Sequence, residues 1–287
     1  MIKIDKVSNH ICALGEGPLW DAESQQLFWV DSYKGLLCSK DHQGHEQHWQ
    51  LPSMLGSLAV MSDRSVLLAL QTGLHRYDLS SSELTFLVDP EAETPTTRLN
   101  DGKTDRAGNF VFGSMGISER LKPLAALYRY TKSGAIEVLD DDVIVSNGPC
   151  FSPSGDILYF NDGRRRILAY DYSDKGALKR KRVLFDGADY NTASDGATVD
   201  SDGNIWVALT GSAEIGCISS DGKLLDRIRM PIKLPSSVMF GGPSLDELYV
   251  TSISNSGNRT STEAHAGGLF RVTGLGVTGL AEARYGR

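Results

Sequence analysis

Residues 200–207 contain a tight turn, Asp200-Ser201-Asp202-Gly203, followed after Asn204 by a short apolar strand, Ile205-Trp206-Val207. Asp, Ser and Gly are typical of tight turns because they stabilise the turn or tolerate a positive φ. The same combination recurs along the chain, and the other five apolar runs begin at residues 27, 66, 110, 158 and 248. The first residues of the six runs lie 39, 44, 48, 47 and 43 positions apart.

This repeat predicts an all-β fold, a six-bladed β-propeller with four antiparallel strands in each blade. A period of roughly 40–50 residues with several short strands in each unit is typical of propellers. No window holds a helical apolar stripe for three turns, so no long amphipathic helix is expected. The sixth unit lacks its outermost strand. The alternating N-terminal segment 2–7 is expected to supply that strand and close the ring, with the residues from Gly274 onward as the alternative. Residues 1–287 would then form a single propeller domain.

Composition limits the function classes. The chain is 40% hydrophobic and 23% charged, as in ordinary soluble proteins. Its net charge of −7 argues against nucleic acid or an anionic membrane as the main partner. No apolar run approaches the ~20 residues of a membrane span, and the first residues lack the apolar core of a signal peptide. The four cysteines show no paired spacing, which favours a reducing, cytoplasmic location.

A second repeat places oxygen-bearing side chains at one register. Glu16-Gly17, Asn147-Gly148 and Asp195-Gly196 each precede a short apolar stretch, a turn and a strand. In a propeller the first strand of each blade lines the central channel, so equivalent positions in different blades form a ring. The predicted ring members are all polar: Glu16, Ser57, Asn100, Asn147, Asp195 and approximately Ser237.

Two carboxylates and an amide make an all-oxygen ligand set, and they predict one divalent metal ion in the channel. Glu16, Asn147 and Asp195 are the predicted ligands. Oxygen ligands suit Ca²⁺, Mg²⁺ or Mn²⁺, and Zn²⁺ can also accept them. The alternative is that each pair is a plain turn, because Glu-Gly, Asn-Gly and Asp-Gly are common turn dipeptides. The shared register in three blades favours the metal.

Five segments, 14–20, 98–105, 146–149, 194–196 and 266–272, carry a family resemblance. In order and spacing they resemble the signatures of the gluconolactonase, regucalcin and senescence-marker-protein family. The resemblance spans nearly the whole chain. It implies a six-bladed propeller with one catalytic divalent metal in the channel and, as in many members, hydrolysis of sugar lactones. Position by position, it makes Glu16, Asn147 and Asp195 the metal ligands, and Asp195 the general base as well.

The same resemblance implies substrate-binding residues. Arg98 and Asn100 match positions that bind substrate hydroxyls, and Asn100 is expected near the metal. Where many sugar-lactonase relatives carry a glutamate that holds the substrate, this chain has Ser118, followed by Glu119. Ser118 is therefore the predicted substrate residue at that position, and the exact sugar is left open.

The predicted reaction is metal-dependent opening of an aldonolactone, such as gluconolactone, to its aldonic acid. A bound cation can stabilise the charge that develops on an ester carbonyl. Asp195 would accept the proton of the attacking water, or hydroxide held on the cation would attack directly. No Gly-x-Ser-x-Gly elbow is present, so the sequence gives no support for a serine hydrolase.

Other functions stay open at this point. A metal that polarises a lactone carbonyl can also polarise a phosphoryl oxygen, which makes a broader esterase or phosphotriesterase one alternative. A calcium-binding regulatory protein of the regucalcin type, without catalysis, is another. A protein-interaction propeller lacks its Trp-Asp signature here. The predicted partner is a small-molecule sugar lactone, with neither nucleic acid nor membrane, and the sequence does not define the oligomeric state.

Three further features are interpreted as surface structure. His42, His45 and His48 flank a predicted hairpin turn and are expected at the surface rather than in a ligand set. The basic runs 164–166 and 179–182 are expected at a solvated hairpin edge. The polar, glycine-rich segment 254–266 is expected to be a loop, either near the channel mouth or simply at the surface.

Overall fold

The computed structural model describes residues 1–62, 64–118 and 122–287. These residues form six antiparallel sheets of four strands each. The first strand of every sheet contacts the first strands of the two neighbouring sheets, and the sixth contacts the first, so the sheets form a closed ring. The predicted six-bladed β-propeller is therefore confirmed, and all six predicted apolar runs lie in the second strands of the blades.

The strands of the first three blades are β2 (Gly15–Asp21), β3 (Gln26–Asp31), β4 (Leu36–Asp41) and β5 (Glu46–Gln50); β6 (Leu55–Ser62), β7 (Ser65–Leu70), β8 (Gly73–Asp78) and β9 (Leu84–Val88); and β10 (Thr97–Thr104), β11 (Phe110–Gly116), β12 (Ala125–Tyr130) and β13 (Ile136–Val143). The other three blades contain β14 (Asn147–Phe151), β15 (Ile157–Asn161), β16 (Arg166–Asp171) and β17 (Lys179–Asp186); β18 (Ser194–Val199), β19 (Ile205–Leu209), β20 (Glu214–Ile218) and β21 (Leu224–Arg229); and β22 (Pro235–Gly241), β23 (Glu247–Ser252), β24 (Phe270–Thr273) and β1 (Lys3–Lys6).

The N-terminal strand closes the ring, as predicted. β1 pairs antiparallel with β24, with Lys3 opposite Thr273, and is the outermost strand of the sixth blade. This pairing covers an edge that would otherwise be open. The C-terminal segment, residues 274–287, lies elsewhere, across the end of the ring at which the innermost strands finish. Among the described residues the only helical segment is the 3₁₀ turn Gly187–Tyr190, and no helix is long and apolar enough to cross a membrane.

The hydrophobic core lies between the blades rather than at the centre of the ring. Six clusters of buried apolar side chains each join two neighbouring blades. For example, Trp20 and Trp29 of the first blade pack with Tyr249 of the sixth. Because the apolar faces are buried between blades, the inner edges of the blades are free to carry polar residues into the channel.

Candidate metal and substrate site

The six innermost strands (β2, β6, β10, β14, β18 and β22) begin at one end of the ring, here called the channel mouth, and finish at the other, the far end. Each of the six carries a β-bulge close to its beginning. A bulge bends a strand and re-aims the side chains around it, and bulges are common beside active sites. The bulge of β2 immediately follows Glu16, and that of β14 starts at Asn147. The bulge of β18 contains Asp195.

All three glycines after these residues are favoured by the backbone, and Gly17 has φ +50°. Gly148 has φ +54°, and a Cβ there would lie 2.8 Å from the backbone of Asp195. A Cβ on Gly196 would lie 2.0 Å from Ser237 Oγ. Glycine therefore permits both an unusual φ and a close approach of neighbouring inner strands. The repeated Gly seen in the sequence thus reflects packing around the channel as well as local turn chemistry.

A cavity of about 210 Å³ opens at the channel mouth. We call it the mouth cavity. Five of the six side chains predicted to form the site line it: Glu16, Arg98, Asn100, Asn147 and Asp195. The sixth, Ser118, is exposed, two residues beyond the end of β11, and is not part of the lining. Glu119 lies outside the described residues.

The carboxyl group of Glu16 is poorly compensated. Burial raises its pKa well above the usual value, and the nearby carboxylates of Asp195 and Asp101 raise it further. The positive charges of Arg98 and Arg259 act in the opposite direction but do not cancel these effects. The charged form of Glu16 is therefore disfavoured, mainly by its removal from water.

Asp195 is also buried, with only 8% of its surface exposed. Burial raises the pKa of this carboxyl to about 7, the charge of Asp101 adds to the rise, and Arg259 opposes it. Arg259 Nη1 lies 3.8 Å from Asp195 Oδ2, and the Thr210 hydroxyl donates to the same oxygen at 3.3 Å. Asp195 is thus an acid whose protonation is balanced close to neutral pH when no cation is bound.

Asp101 is a third acid of the channel that the sequence analysis missed. Its carboxylate accepts the backbone N–H of Gly148 at 2.7 Å and that of Gly102 at 2.8 Å. Burial raises its pKa, against these two hydrogen bonds and the charge of Lys103. Asp101 does not line the mouth cavity but a small void deeper in the channel. Its contact with Gly148 positions the strand that carries Asn147.

Asn147 and Asn100 form a pair across two blades. Asn100 Nδ2 donates to Asn147 Oδ1 at 2.8 Å and to the backbone carbonyl of Ser146 at 2.7 Å. These bonds fix the amide of Asn147 while leaving its oxygen with a second lone pair. Arg98 is buried, and its Nη1 donates to the carbonyl of Leu99 at 2.8 Å. Asn100 therefore orients a predicted ligand as well as facing the cavity.

The two serines predicted for the ring lie apart from this group. The Ser57 hydroxyl donates to the backbone carbonyl of Asn100 at 2.7 Å, which supports the strand beneath the site. Ser237 lines the deeper void. Both are buried, and neither lines the mouth cavity.

Two arginines at the mouth were not identified as site residues from the sequence. Arg259 and Asn258 lie in the 254–266 segment, so this loop does reach the channel mouth. Arg165 is exposed, as its basic run predicted, and it also lines the cavity. His42, His45 and His48 are exposed, as expected. The sequence offered no signal for the arginines, because their positions depend on how loops from different blades meet.

A second group of ligand-type side chains lies outside the cavity. His10, Cys12 and Asp31 have donor atoms within 4.8 Å of one another. Asp31, however, already accepts the backbone N–H groups of Ala13 at 2.9 Å and Leu14 at 3.2 Å. These bonds hold the chain just before β2, so Asp31 has a structural role in positioning Glu16.

The donor set at the mouth fits a hard divalent cation. Glu16 and Asp195 supply two carboxylates whose pKa values are raised when no cation is present, and Asn147 supplies a fixed amide oxygen. A divalent ion held by these residues would favour the charged form of both carboxyls and so oppose the rise in pKa that burial causes. The described residues offer neither His nor Cys in the lining of the cavity, which favours oxygen-preferring metals.

Comparison with known proteins gives consistent matches over the whole chain. Residues 14–254 match the family described as "SMP-30/Gluconolactonase/LRE-like region". The chain is 34% identical to L-arabinolactonase of Azospirillum brasilense, covering 95% of this chain and 92% of that protein. It is 32% identical to 6-deoxy-6-sulfogluconolactonase of Pseudomonas putida, covering 94% of each. The crystal structure of a calcium-binding protein, regucalcin, from Agrobacterium tumefaciens superimposes with a TM-score of 0.89 at 27% identity, covering 98% of this chain and 96% of that one.

Proposed function

The chain belongs to the SMP-30/gluconolactonase/LRE-like family, and we propose that it is a metal-dependent lactonase that opens sugar lactones to aldonic acids. The observation that carries the proposal is the acid pair of the partly buried Glu16 and the buried Asp195, with Arg98 and Asn100 facing the same cavity. Relatives named L-arabinolactonase and 6-deoxy-6-sulfogluconolactonase support the reaction class.

Glu16, Asn147 and Asp195 would hold the divalent ion, which when bound would supply positive charge for the ester carbonyl. Asp195 would accept a proton from water as the water oxygen attacks the carbonyl carbon. The bond between that carbon and the ring oxygen then breaks, and the ring oxygen leaves as an alcohol after taking up a proton. The proton that Asp195 accepted from water can be returned to the leaving ring oxygen, so that the carboxylate is regenerated.

Arg98 and Asn100 would orient the substrate. Both line the mouth cavity, and both are held by hydrogen bonds to neighbouring backbone. A polyol lactone presents hydroxyl groups that such fixed donors can bind, and this places the ester against Asp195. Ser118 remains a predicted substrate contact at its exposed position beyond β11. A Ser118→Ala variant with altered KM and unchanged kcat is the expected sign of that role.

The second candidate is a calcium-binding regulatory protein without catalysis. The all-oxygen donor set favours it, as does the likeness to a structure described as calcium-binding regucalcin. Such a protein would bind calcium at micromolar concentration and change the activity of a partner without opening any lactone. We also propose a reducing compartment such as the cytoplasm, because all four cysteines are buried and free.

Proton release at constant pH tests the proposal. Metal-stripped protein receives Ca²⁺, Mn²⁺, Mg²⁺ or Zn²⁺ in turn and is assayed with a panel of neutral aldonolactones. We expect cation-dependent hydrolysis that falls by about 10²–10⁴-fold in Asp195→Asn. The matched control is Asp202→Asn, an exposed aspartate in the far-end turn of the same blade, which should retain wild-type rates. Absence of hydrolysis with every cation would favour the regulatory protein.

A further inference from the structure

A second, larger cleft adjoins the mouth cavity. It has a volume of about 800 Å³ and shares Arg165, Ala193 and Arg259 with the mouth cavity. Its lining also includes Arg229 and Lys233, so four cationic side chains face one cleft. Within the described ranges, the lining contains no Asp or Glu. We call this region the basic cleft.

This concentration of positive charge contrasts with the negative net charge of the whole chain. The whole sequence has 36 acidic and 29 basic residues, so an average surface would be negative. No salt bridge between described residues involves Arg165 or Arg229. Most other arginines of the described chain have a carboxylate within 4 Å, as with Arg227 and Glu214 at 3.4 Å. All four cationic side chains are exposed to solvent, so the basic cleft is open to an anion from solution.

The cleft also offers neutral hydrogen-bonding groups on fixed backbone. Arg229 Nη1 donates to the carbonyl of Ser212 at 2.6 Å, which anchors that guanidinium at the cleft wall. The hydroxyls of Thr192 and Ser212 lie 3.2 Å apart and both line the cleft. Guanidinium forks with adjacent hydroxyls are a common setting for carboxylate, sulfonate and phosphate groups.

Arg259 connects the basic cleft to the predicted catalytic acid. Its Nη1 lies 3.8 Å from Asp195 Oδ2, and its side chain, 42% exposed, lines both cavities. A substrate with its ester at Asp195 can therefore extend past Arg259 towards Arg165 and Arg229. The charge of these arginines would also attract an anion from solution and raise its rate of association.

We infer that the substrate is an anionic sugar lactone, which carries a carboxylate, sulfonate or phosphate on the end of the sugar remote from the ester, and that the basic cleft binds this group. The inference rests on the proposed lactonase function and specifies its substrate class. The anionic group would be held by Arg165 and Arg229, and Arg259, which lines both cavities, would face both this group and the reacting ester.

The test compares matched substrates. Gluconolactone is assayed beside its 6-phosphate, its 6-sulfonate analogue and the monolactone of the corresponding dicarboxylic acid. We expect kcat/KM at low ionic strength to be at least about tenfold higher for one of the anionic lactones than for gluconolactone. This preference should shrink as salt is added, because salt screens charges at exposed sites. The best of the three anions identifies the group that the cleft accepts.

Variants assign the preference to the cleft. Arg165→Gln combined with Arg229→Gln should lower the ratio of anionic to neutral kcat/KM by about tenfold or more. The matched control is Arg227→Gln. Arg227 is an exposed arginine of the same strand as Arg229, β21, but it does not line the cleft, so the ratio of anionic to neutral kcat/KM should be unchanged. An enzyme that hydrolyses neutral lactones equally well, or a preference that survives the double variant, overturns the inference while the lactonase proposal stands.

A binding measurement separates the two proposals. If no lactone of either kind is opened, the lactonase proposal fails, and calorimetric titration with gluconate 6-phosphate and gluconate then decides the role of the cleft. Tighter binding of the phosphorylated acid, lost in the double variant, supports an anion site in the cleft. Equal binding of the two acids overturns it.

Discussion

Strand β2 carries two carboxylates in opposite electrostatic environments. Glu16, at the channel mouth, has a pKa raised by burial and by the neighbouring acids. Asp21, at the far end of the same strand, is also buried, yet its pKa is lowered, because hydrogen bonds from Arg284 and Ser24 outweigh the effect of burial. Arg284 donates to the two oxygens of Asp21 at 2.9 and 2.6 Å.

The difference shows where the chain supplies its own cation. At the far end, the C-terminal segment brings Arg284 to Asp21 and stacks Tyr285 on Tyr130 with ring centroids 5.3 Å apart. The backbone N–H of Tyr285 also donates to Val60 at 2.8 Å. At the mouth, among the described residues, the nearby positive charges oppose but do not cancel the effect of burial, which raises the pKa values of Glu16, Asp195 and Asp101. The far end therefore has its buried carboxylate compensated within the chain, whereas the mouth acids would be compensated by the cation that we propose binds there.

Breaking the far-end pair should have the largest effect on stability. Arg284→Met leaves Asp21 buried without its hydrogen-bonded partner, and loss of one member of a buried pair costs about 3–5 kcal/mol. Urea denaturation should report this as a lower midpoint with an unchanged m-value. Arg287→Met is the control, because the exposed Arg287 side chain pairs with the exposed Glu23, so its loss should cost less than about 1 kcal/mol. Equal losses in the two variants would contradict the comparison.

At the mouth, removing an acid should stabilise the protein rather than destabilise it. The folded-state pKa of Asp195 is about 7, against about 3.9 for an unfolded chain. The contribution of this group to stability is therefore full below pH 4 and is lost as the pH rises through 7. In the presence of chelator at pH 8, Asp195→Asn should be more stable than wild type by about 2–4 kcal/mol, with little difference at pH 4.

Denaturation curves at the two pH values provide the measurement, with Asp202→Asn as an exposed control that should follow wild type. A metal-stripped Asp195→Asn protein that is less stable than wild type at pH 8 would show that the mouth acids are compensated within the chain after all.

Cation binding should compensate the carboxylates at the mouth, as Arg284 compensates Asp21 at the far end. Protons compete with a metal for Glu16 and Asp195, so calcium should raise the melting temperature more at pH 8 than at pH 5.5. At a concentration 100-fold above Kd the stabilisation is about 2.7 kcal/mol. Differential scanning calorimetry with and without calcium, in wild type and in Glu16→Gln, measures it. A shift of the same size at both pH values, or one retained in Glu16→Gln, would place the cation elsewhere.

Sequence reasoning recovered the architecture because it depends on local, repeated chemistry. Turns such as 200–203 and the apolar strands after them mark every blade. Because the sixth unit lacked an outermost strand, the N-terminal segment was predicted to supply it, and β1 does so. The register of Glu16, Asn147 and Asp195 was visible for the same reason, since the bulged inner strands repeat. Their convergence on one cavity follows from the closure of the ring.

The remaining features depend on contacts between distant segments, which no local pattern records. Arg165 was read as part of a solvated basic run, yet the meeting of the fourth and fifth blades brings it to the mouth cavity. Asp101 was quoted within a motif, but only its bond to Gly148 on the next blade shows what it positions. The Asp21–Arg284 pair joins residues 263 positions apart and had no signal in the sequence.

The smallest expected effect concerns the hydrogen bond that orients the amide ligand. Asn100→Ala removes the donor that holds Asn147 Oδ1 at 2.8 Å, while Glu16 and Asp195 remain in place. Loss of an interaction that orients a metal ligand typically weakens metal binding 10–100-fold, and we expect about tenfold here, or roughly 1.4 kcal/mol. Calorimetric titration of calcium measures this directly. The matched control is Asn258→Ala, because Asn258 also lines the cavity and its side-chain oxygen accepts a hydrogen bond from Ser256 of its own loop. Because Asn100 is also predicted to contact substrate, the readout must be metal affinity without substrate. Unchanged calcium affinity in Asn100→Ala would restrict Asn100 to the substrate and leave Glu16 and Asp195 as the groups that make the mouth differ from the far end.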